Sequence, residues 1–442
     1  MTENAGNRML ATFKTAEGLN TQIASIIGFY YPQCINHEQG GFYQYFDADG
    51  AAIKVNQQSH LVSICRLIIN FAYAASHFGS AELLGAARHG IAFLRNRHRN
   101  PTTGGYAWIL HDQAIHDDDN YCYGIAFVLM AYARAYQAGA TEVHAHIAES
   151  FELLERHFWR AEDQLYLDKC DVELARPSSY RGQNANMHCC ESMIAAYEAT
   201  GEVRYRDRAL ILAKRVTIDL AAQGDGRIWE HYDSAWVADY KYNIDGPNDK
   251  LRPWGYQPGH FTEWSKLLLL IHKYQPQPWL VERAKALFDL AMSVGYDPEF
   301  GGLYYGVSPS GVVCADGKYS WVQAETIVAA AMLASALGNN LYWCIHDQLW
   351  SYVNAVMIDH RLKCWHRNLT RDNALPVDTA IAMGRTDYHA ISACIELAKL
   401  HGSAVLRSPE PVIQEALKCH LPSRPGQVSA SKLGEQPSEV RQ

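Results

Sequence analysis

Residues 104–159 read GGYAWILHDQAIHDDDNYCYGIAFVLMAYARAYQAGATEVHAHIAESFELLERHFW and make up one structural unit of this chain. Residues 104–114 form a turn-rich segment in which an aromatic and aliphatic centre follows a pair of glycines, and segments of this kind predict short β-hairpins. Residues 121–139 and 142–159 carry apolar side chains at helical spacing, and Gly139 is a stop signal after the first run. One unit therefore consists of a hairpin followed by two helices.

The same turn-rich, aromatic pattern recurs at intervals of roughly 60 to 75 residues. The recurring segments are residues 40–50, 104–114, 163–173, 225–236, 301–311 and 362–373. Helix pairs repeated in this way must stack on their neighbours to bury their apolar faces. We therefore predict an all-α fold, an (α/α)6 barrel of twelve helices with short β-hairpins at one rim and apolar helices such as 188–200 and 321–337 inside. An open helical solenoid is the alternative.

The ends of the chain differ in composition from the repeats. Residues 16–405 are predicted to form a single barrel domain, and residues 1–15 a flexible N-terminus. The segment 406–442 ends in a polar stretch rich in Pro, Ser and Gly, which predicts a largely disordered tail.

Composition excludes several classes of protein. A hydrophobic fraction of 48% supports a large core, and a net charge of −8 without a long basic stretch argues against nucleic-acid binding. No uninterrupted apolar run approaches the roughly 18 residues that span a bilayer, and the N-terminus lacks a signal-peptide core, so no membrane partner is expected. The eleven cysteines show no disulfide framework. These features predict a cytoplasmic protein with reduced thiols.

Two stretches, YRGQNANMH (180–188) and WGYQPGHFTEW (254–264), carry the clearest chemical signal. Each places a histidine directly before an apolar run, and a glutamate follows three residues later, giving the pairs His188–Glu191 and His260–Glu263. A spacing of three places both side chains on one helix face. A carboxylate beside an imidazole orients the ring and keeps its pKa near neutrality, so the pattern predicts proton transfer on a small molecule.

Each of these histidines also has a structural interpretation. Asn184 and Asn186 offer amide groups to sugar hydroxyls, or they cap the next helix and leave His188 as a packed residue at the helix start. Pro258 with the following glycine places His260 at a helix start, where the helix dipole favours a neutral imidazole and Glu263 opposes this effect. Alternatively, His260 caps that turn without a chemical role.

Further candidates are charged residues within apolar helices. Trp321 and Glu325 share one face of an Ala-rich helix, in which a carboxylate is costly to bury without a partner. Arg66 interrupts another apolar helix as either a sugar ligand or a buried ion-pair partner. His389 opens the last long helix. No zinc signature, phosphate-binding loop or G-x-S-x-G elbow is present, and residues 116–119 are interpreted as a solvated loop, so no metal or cofactor is predicted.

Four segments together resemble the N-acylglucosamine 2-epimerase superfamily, in its aldose–ketose isomerase branch, over roughly residues 20–400. They are YRGQNANMHCCESMIAAYEATGE (180–202), PWGYQPGHFTEWSKLLLL (253–270), SWVQAETIVAA (320–330) and GRTDYHA (384–390). The resemblance implies an (α/α)6 barrel that interconverts free sugars without metal or nicotinamide. The expected reaction interconverts D-mannose and D-fructose, or D-lyxose and D-xylulose. The protein is expected to be a monomer or a homodimer.

The resemblance also implies roles for individual residues. His260 and His389 match the two catalytic histidines of the family. The implied substrate contacts are Arg66, Asn184, His188, Arg252, Glu263, Trp321 and Glu325. The chain departs from the family pattern at Ile125, where related isomerases often carry a histidine, and its C-terminal motif is one residue shorter than G-K-x-D-x-Y-H-A. Both departures bear on the choice of sugar.

Three other functions compete with the isomerase. A sugar 2-epimerase acting on a monosaccharide, an N-acylated sugar or a disaccharide would need bases on both faces of C2. An inverting glycoside hydrolase would need two carboxylates roughly 6.5–9.5 Å apart, with Glu263 and Glu325 as the formal candidates. A non-catalytic carbohydrate-binding protein would keep its ligand affinity without the histidines.

Overall fold

Twelve α-helices form the framework of the computed structural model, which describes residues 15–54, 58–112, 114–376 and 385–402. Six of them form an inner ring: α2 (Leu61–Phe78), α4 (Cys122–Gln137), α6 (Gln183–Thr200), α8 (Pro258–Tyr274), α10 (Ser320–Leu337) and α12 (Tyr388–Leu400). Six lie outside: α1 (Ala16–Tyr30), α3 (Ala81–Phe93), α5 (His144–His157), α7 (Val203–Lys214), α9 (Pro278–Gly295) and α11 (Asn340–Tyr352). Short π-helical or 3-10 turns occupy Leu94–His98, Thr141–Val143, Arg215–Leu220, Ala221–Gly224 and Val353–Met357.

The inner ring is closed. Each inner helix contacts the next one along the chain, and α12 contacts α2, which joins the last repeat to the first. Helices α3, α5, α7, α9 and α11 each pack on the inner helix that precedes them, whereas α1 packs on α12. The predicted (α/α)6 barrel is therefore confirmed, and the open solenoid is wrong, because the outer helix for the last inner helix comes from the start of the chain.

The two ends of the barrel differ. Helices α2, α6 and α10 stop at glycines with left-handed backbone, such as Gly79 with φ of 68°, and the chain turns directly into the next outer helix. The return from an outer helix to the next inner helix is longer and carries the β-strands. The strand-bearing rim is thus the end at which the inner helices begin.

Fifteen short strands lie in these return segments of the described chain. They are β1 (Gln58–His60), β2 (Ile109–His111), β3 (Ala114–Asp117), β4 (Asn120–Tyr121), β5 (Trp159–Arg160), β6 (Leu165–Tyr166), β7 (Lys169–Cys170), β8 (Arg181–Gly182), β9 (His231–Tyr232), β10 (Gly306–Val307), β11 (Val313–Ala315), β12 (Lys318–Tyr319), β13 (Ile358–Asp359), β14 (Cys364–Trp365) and β15 (Asn368–Leu369). Antiparallel hairpins form at β2–β3, β5–β6, β10–β11 and β13–β14.

The prediction of a hairpin at 225–236 is wrong in its pairing, because β9 pairs with β8 of another return segment. The strands at 163–173, 225–236 and 362–373 also pair across repeats, as β4 with β7, β8 with β9, and β12 with β15. In each case, a strand that leads into an inner helix pairs with a strand of the next return segment, as β1 does with β2. These pairs link neighbouring repeats around the rim and fix where each inner helix begins.

The described chain begins at Thr15, within the predicted N-terminal segment. Thr15, assigned to the flexible N-terminus, caps α1 by accepting a hydrogen bond from the Gly18 amide at 3.1 Å. The rest of the predicted N-terminal segment and the predicted tail 406–442 lie outside the described residues.

Two inner helices, α2 and α10, are long and apolar enough to cross a bilayer by length and composition. Each helix has 18 residues, of which 83% in α2 and 72% in α10 are buried inside the barrel. Their apolar side chains therefore contribute to the core between inner and outer helices.

Candidate active site

The predicted site residues converge at the strand-bearing rim, although they are spread along most of the chain. Arg66 of α2 and His389 of α12, for example, are separated by 323 positions and lie 3.4 Å apart between Nη2 and Nε2. The other helices contribute residues from their first turns: Tyr123 and Phe127 of α4, Asn184, His188 and Glu191 of α6, His260 and Glu263 of α8, and Trp321 and Glu325 of α10. The barrel thus places one polar cluster where its inner helices begin.

His260 is oriented by a carboxylate from the rim. Its Nδ1 lies 2.9 Å from Oε1 of Glu230, which precedes strand β9. Gln183 donates to the other oxygen of Glu230 at 2.9 Å and accepts a hydrogen bond from the Trp264 indole at 2.8 Å. The Gln183 amide nitrogen also lies 3.1 Å from Nδ1. Because Glu230 is the nearer partner and a carboxylate oxygen accepts, we assign a proton to Nδ1 of His260.

The predicted pairing of His260 with Glu263 is wrong. His260 begins the helix, as Pro258–Gly259 indicated, but Glu263 lies one turn deeper and approaches His188 and His389 instead. The orienting residue, Glu230, was missed. Its only signal was a glutamate between bulky residues in the stretch IWEHY (228–232), which does not indicate a partner 30 residues away.

His389 is held in the same manner by Glu325. Nδ1 of His389 lies 2.7 Å from Oε1 of Glu325, and Arg66, which only donates, faces its Nε2. The imidazole is therefore neutral, with the proton on Nδ1. Burial lowers the pKa of His389, although Glu325 opposes this effect. A neutral His389 is a suitable proton acceptor near neutral pH.

Trp321 joins the two histidines in one cleft. Its ring centroid lies 5.1 Å from that of His260 and 5.9 Å from that of His389. The indole and His389 are both partly exposed, whereas His260 is buried. A sugar that packs on this indole is thus within reach of both imidazoles.

His188 forms the predicted pair with Glu191, with Nδ1 and Oε2 3.0 Å apart. The rings of Tyr123 and Phe127 pack on it at 4.8 and 4.9 Å. Burial lowers the pKa of His188 to about 4. It remains neutral at neutral pH, as a fixed hydrogen-bonding group in the wall of the cleft.

The structure separates the two asparagines of NANMH. Asn186 hydrogen-bonds to the amide and carbonyl of Tyr166 at 2.8 and 3.0 Å, so it fixes the rim backbone. Among the described residues, Asn184 has a buried Oδ1 without a hydrogen-bond partner, as expected of a group reserved for a ligand. Neither residue caps the helix, since α6 begins at Gln183 after Gly182.

Arg252 lies on the rim loop between β9 and α8. Its guanidinium lies 3.7 Å from the ring centroid of Tyr180 and donates to the Tyr242 hydroxyl at 2.8 Å. The pKa of the buried Asp168 is raised to about 7 by desolvation, against which the Arg252 charge acts. Arg252 therefore belongs to an aromatic cluster at the edge of the cleft, and its substrate contact stays a prediction.

Lys266 connects the carboxylates beneath the histidines, and sequence reasoning missed it. Its Nζ lies 2.6 Å from Oε2 of Glu325 and 3.3 Å from Oε1 of Glu191. The chain His188–Glu191–Lys266–Glu325–His389 is thus continuous at hydrogen-bond or ion-pair distance. Burial opposes the charge on Lys266, but the three neighbouring glutamates together raise its pKa well above the usual value.

Two overlapping groups have the composition of a metal site. Ligand atoms of His188, Glu191 and Glu263 lie within 4.8 Å of one another, as do those of Glu263, Glu325 and His389. Lys266 already supplies positive charge to two of these carboxylates, which lowers the need for a cation. That no metal is required remains a prediction. The short approach of Glu263 to Glu325 also disfavours them as an inverting hydrolase pair, which needs roughly 6.5–9.5 Å.

A cavity of about 390 Å³ opens at the other end of the barrel. It is lined by Gln137, Tyr197, Glu198, Gly201, Lys273, Tyr274 and Lys399. None of the predicted site residues lies in it, so the chemistry is assigned to the strand-bearing rim.

Replacing Glu230 with Gln is expected to lower kcat/KM by about 10- to 100-fold, the usual effect of losing a group that orients a functional histidine. A glutamine can present its NH2 to Nδ1 of His260, which would move the imidazole proton to Nε2 and remove the base. The measurement is steady-state kinetics, with the exposed Glu282→Gln on α9 as control. Wild-type kinetics in Glu230→Gln would show that this carboxylate does not set the tautomer.

Folding is expected to be sensitive to acid because His98 and His188 are buried as neutral rings. Burial lowers the pKa of each to about 4, against about 6.5 in an unfolded chain. The unfolded state therefore binds more protons between these values, so their stabilisation is complete above about pH 6.5 and is lost as the pH falls towards 4. Each contributes roughly 3 kcal/mol over this window.

Urea unfolding at several pH values between about 7 and 4 measures this effect. The slope of the unfolding free energy against pH reports how many protons the protein takes up on unfolding. In His98→Asn, this number should be smaller by about one in this range. An unchanged slope would mean that His98 is not the neutral buried group described above.

Comparison with known proteins agrees with this geometry. A family model described as N-acylglucosamine 2-epimerase (GlcNAc 2-epimerase) matches residues 41–393. D-mannose isomerase of Marinomonas mediterranea is 43% identical over 388 residues, which are 88% of this chain and 98% of that protein. D-mannose isomerase of Thermobifida fusca is 30% identical over 363 residues, covering 81% and 88%. A crystal structure of D-mannose isomerase superposes with a TM-score of 0.85 at 43% identity, covering 88% of this chain and 98% of that one. This chain therefore belongs to the N-acylglucosamine 2-epimerase family, as its motifs predicted.

Proposed function

We propose that this protein is a metal-independent aldose–ketose isomerase that interconverts D-mannose and D-fructose. The observation that carries the proposal is the pair His260 and His389 beside Trp321, each with Nδ1 held by a carboxylate. Each imidazole is held at Nδ1, so Nε2 is the atom that can exchange a proton with an open-chain sugar, and Nε2 of His389 also faces Arg66 at 3.4 Å. The 43% identity to a D-mannose isomerase supports the choice of sugar.

The reaction moves one hydrogen from C2 to C1 and one proton from O2 to O1. One histidine takes the C2 proton, the C–H electron pair forms a C1–C2 double bond, and O1 gains the charge of a cis-enediolate. The same histidine then returns a proton to C1 on the same face, while O2 loses its proton and the ketone forms at C2. The other histidine is available for opening the sugar ring, which requires proton exchange at the ring oxygen and O1.

The remaining polar residues are suited to binding the sugar. Arg66 can donate to sugar oxygens, and its positive charge stabilises an enediolate formed near His389. Asn184 offers its unpaired Oδ1 to a hydroxyl, and His188 offers Nε2 as a fixed acceptor. We assign Trp321 to packing against the C–H face of the sugar.

The decisive test incubates the EDTA-treated protein with D-mannose in D2O and follows the sugars by proton NMR. Fructose with deuterium at C1 is the expected product, and less than one deuterium per turnover would show that the base retains the original proton. Glucose with deuterium at C2 and no accumulating fructose would instead identify a 2-epimerase. Absence of turnover and of exchange would overturn the assignment to mannose, and D-lyxose would be the next substrate tested.

Two attributes complete the proposal. The protein acts on a free monosaccharide in the cytoplasm, as a monomer or a homodimer. Size-exclusion chromatography with light scattering measures the assembly state, and activity in a soluble cell fraction tests the location.

A further inference from the structure

Glu263 has an unusual position in the site just described. It lies on α8 one turn beyond His260, and only 1% of its surface is exposed. Its carboxyl oxygens come within 4.8 Å of ligand atoms of His188 and Glu191 on one side, and of Glu325 and His389 on the other. Three glutamates therefore share one buried space.

Charge balance distinguishes Glu263 from the other two glutamates. Glu191 and Glu325 each have an ion pair with Lys266 and a histidine Nδ1 within 3.0 Å. Within the described parts of the chain, Glu263 forms no ion pair within 4.0 Å, and its buried Oε1 has no hydrogen-bond partner. An ionised Glu263 would thus be an uncompensated buried anion next to two others, which is strongly unfavourable.

The groups that face Glu263 come from every inner helix. They are Arg66 (α2), Tyr123 (α4), His188 and Glu191 (α6), Lys266 (α8), Glu325 (α10) and His389 (α12). Burial raises the pKa of Glu263, and Glu325 raises it further, whereas Lys266 and Arg66 act against this shift without cancelling it. The outcome is a pKa well above the usual value for a glutamic acid.

We infer that Glu263 is a neutral carboxylic acid in the resting enzyme and carries the proton between O2 and O1 of the sugar. The inference rests on the proposed isomerase function. As a histidine removes the C2 hydrogen, the Glu263 O–H protonates O1, which gives the neutral cis-enediol and a Glu263 carboxylate. As the histidine returns a proton to C1, that carboxylate takes the proton from O2, the ketone forms, and the acid is restored.

The surroundings explain why this residue suits the role. A carboxyl that is neutral in the resting state can donate to the oxygen on which negative charge develops. When its proton leaves, Lys266 and Arg66 are close enough to stabilise the transient carboxylate. Glu191 and Glu325 are already ionised by their pairing with Lys266, so they lack a proton to give.

The protonation state can be measured without substrate. Infrared difference spectroscopy of wild type against Glu263→Gln at neutral pH should show the carbonyl stretch of a protonated carboxyl, shifted in D2O and missing in the variant. Glu282→Gln on the surface of α9 is the control and should retain the band. Identical wild-type and Glu263→Gln spectra would overturn the inference. A band that appears only after EDTA treatment would also overturn it, because a bound metal would then replace the proton.

Kinetics tests the shuttle. Glu263→Gln keeps a donor but cannot transfer a proton, so kcat should fall about 100-fold or more, while KM changes less than about threefold. Its Tm should stay near that of wild type, because one neutral group replaces another. Wild-type kcat in Glu263→Gln would overturn the shuttle. If wild type fails to isomerise any sugar, the proposed function fails, whereas the spectra still decide the protonation state.

Discussion

Replacing either His260 or His389 with Asn lowers kcat/KM for mannose–fructose interconversion by about 100-fold or more, the usual size of a general acid–base contribution. Asparagine can still hydrogen-bond to Glu230 or Glu325, so the buried carboxylates keep a partner. The group lost in each variant is the imidazole Nε2, which neither carboxylate holds. Steady-state kinetics on mannose measures the effect, and His401→Asn, at the exposed end of α12, is the matched control.

Deuterium exchange assigns the two roles. The variant that lacks the C2 base loses exchange of the C2 hydrogen with D2O, even when supplied with a sugar that is largely open-chain. The variant that lacks the ring-opening group keeps this exchange on the open-chain form. Near-normal turnover in either variant would remove that histidine from the catalytic assignment.

The barrel could be predicted because its signals are local. Apolar spacing within α4, the stop at the glycine after it, and the repeat period each depend on a short stretch of chain. The partners of the strands could not be predicted in this way. Strands of two residues such as β8 and β9 carry too few side chains to specify a partner, and their pairing is decided by where the inner helices pack.

The positions of the two candidate histidines were also local information, since His260 follows the turn signal Pro258–Gly259 and His389 opens the last long helix. Their orienting carboxylates were not. Glu230 reaches His260 from the rim segment just before β9, and Glu325 reaches His389 from another helix, so only packing reveals either pair. The i+3 spacing identified the His188–Glu191 pair but misled at His260, where a rim carboxylate lies closer to Nδ1.

Lys266 could have been found by an argument that the sequence already offered for Glu325. A charged residue in an apolar helix is costly to bury without a partner, and SKLLLL (265–270) has the same character as the Ala-rich helix around Glu325. The two residues are in fact partners. Two unexplained charges of opposite sign on apolar helices are therefore best considered as a candidate pair.

Replacing Lys266 with Met is expected to destabilise the protein by about 3–5 kcal/mol, the usual cost of leaving a buried ion-pair partner unpaired. The side chain is 2% exposed, and its removal leaves Glu191 and Glu325 beside Glu263 without a neighbouring ammonium. Without the ammonium, the pKa values of the two glutamates should rise. At lower pH the glutamates can then bind protons, which relieves part of the loss in stability. The destabilisation should therefore be largest at alkaline pH. Urea unfolding at neutral and alkaline pH measures both effects.

The protein contains a matched surface pair for comparison. Lys285 lies 2.6 Å from Asp289, the same distance as Lys266 from Glu325, but the Lys285 side chain is 48% exposed. Lys285→Met should cost less than about 1 kcal/mol, because water solvates the aspartate that remains. In the double variant Lys266→Met with Glu325→Gln, the total loss should be smaller than the sum of the single losses, since the second change removes the orphaned charge. Equal losses in Lys266→Met and Lys285→Met would contradict the view that this buried ammonium holds the carboxylates of the site together.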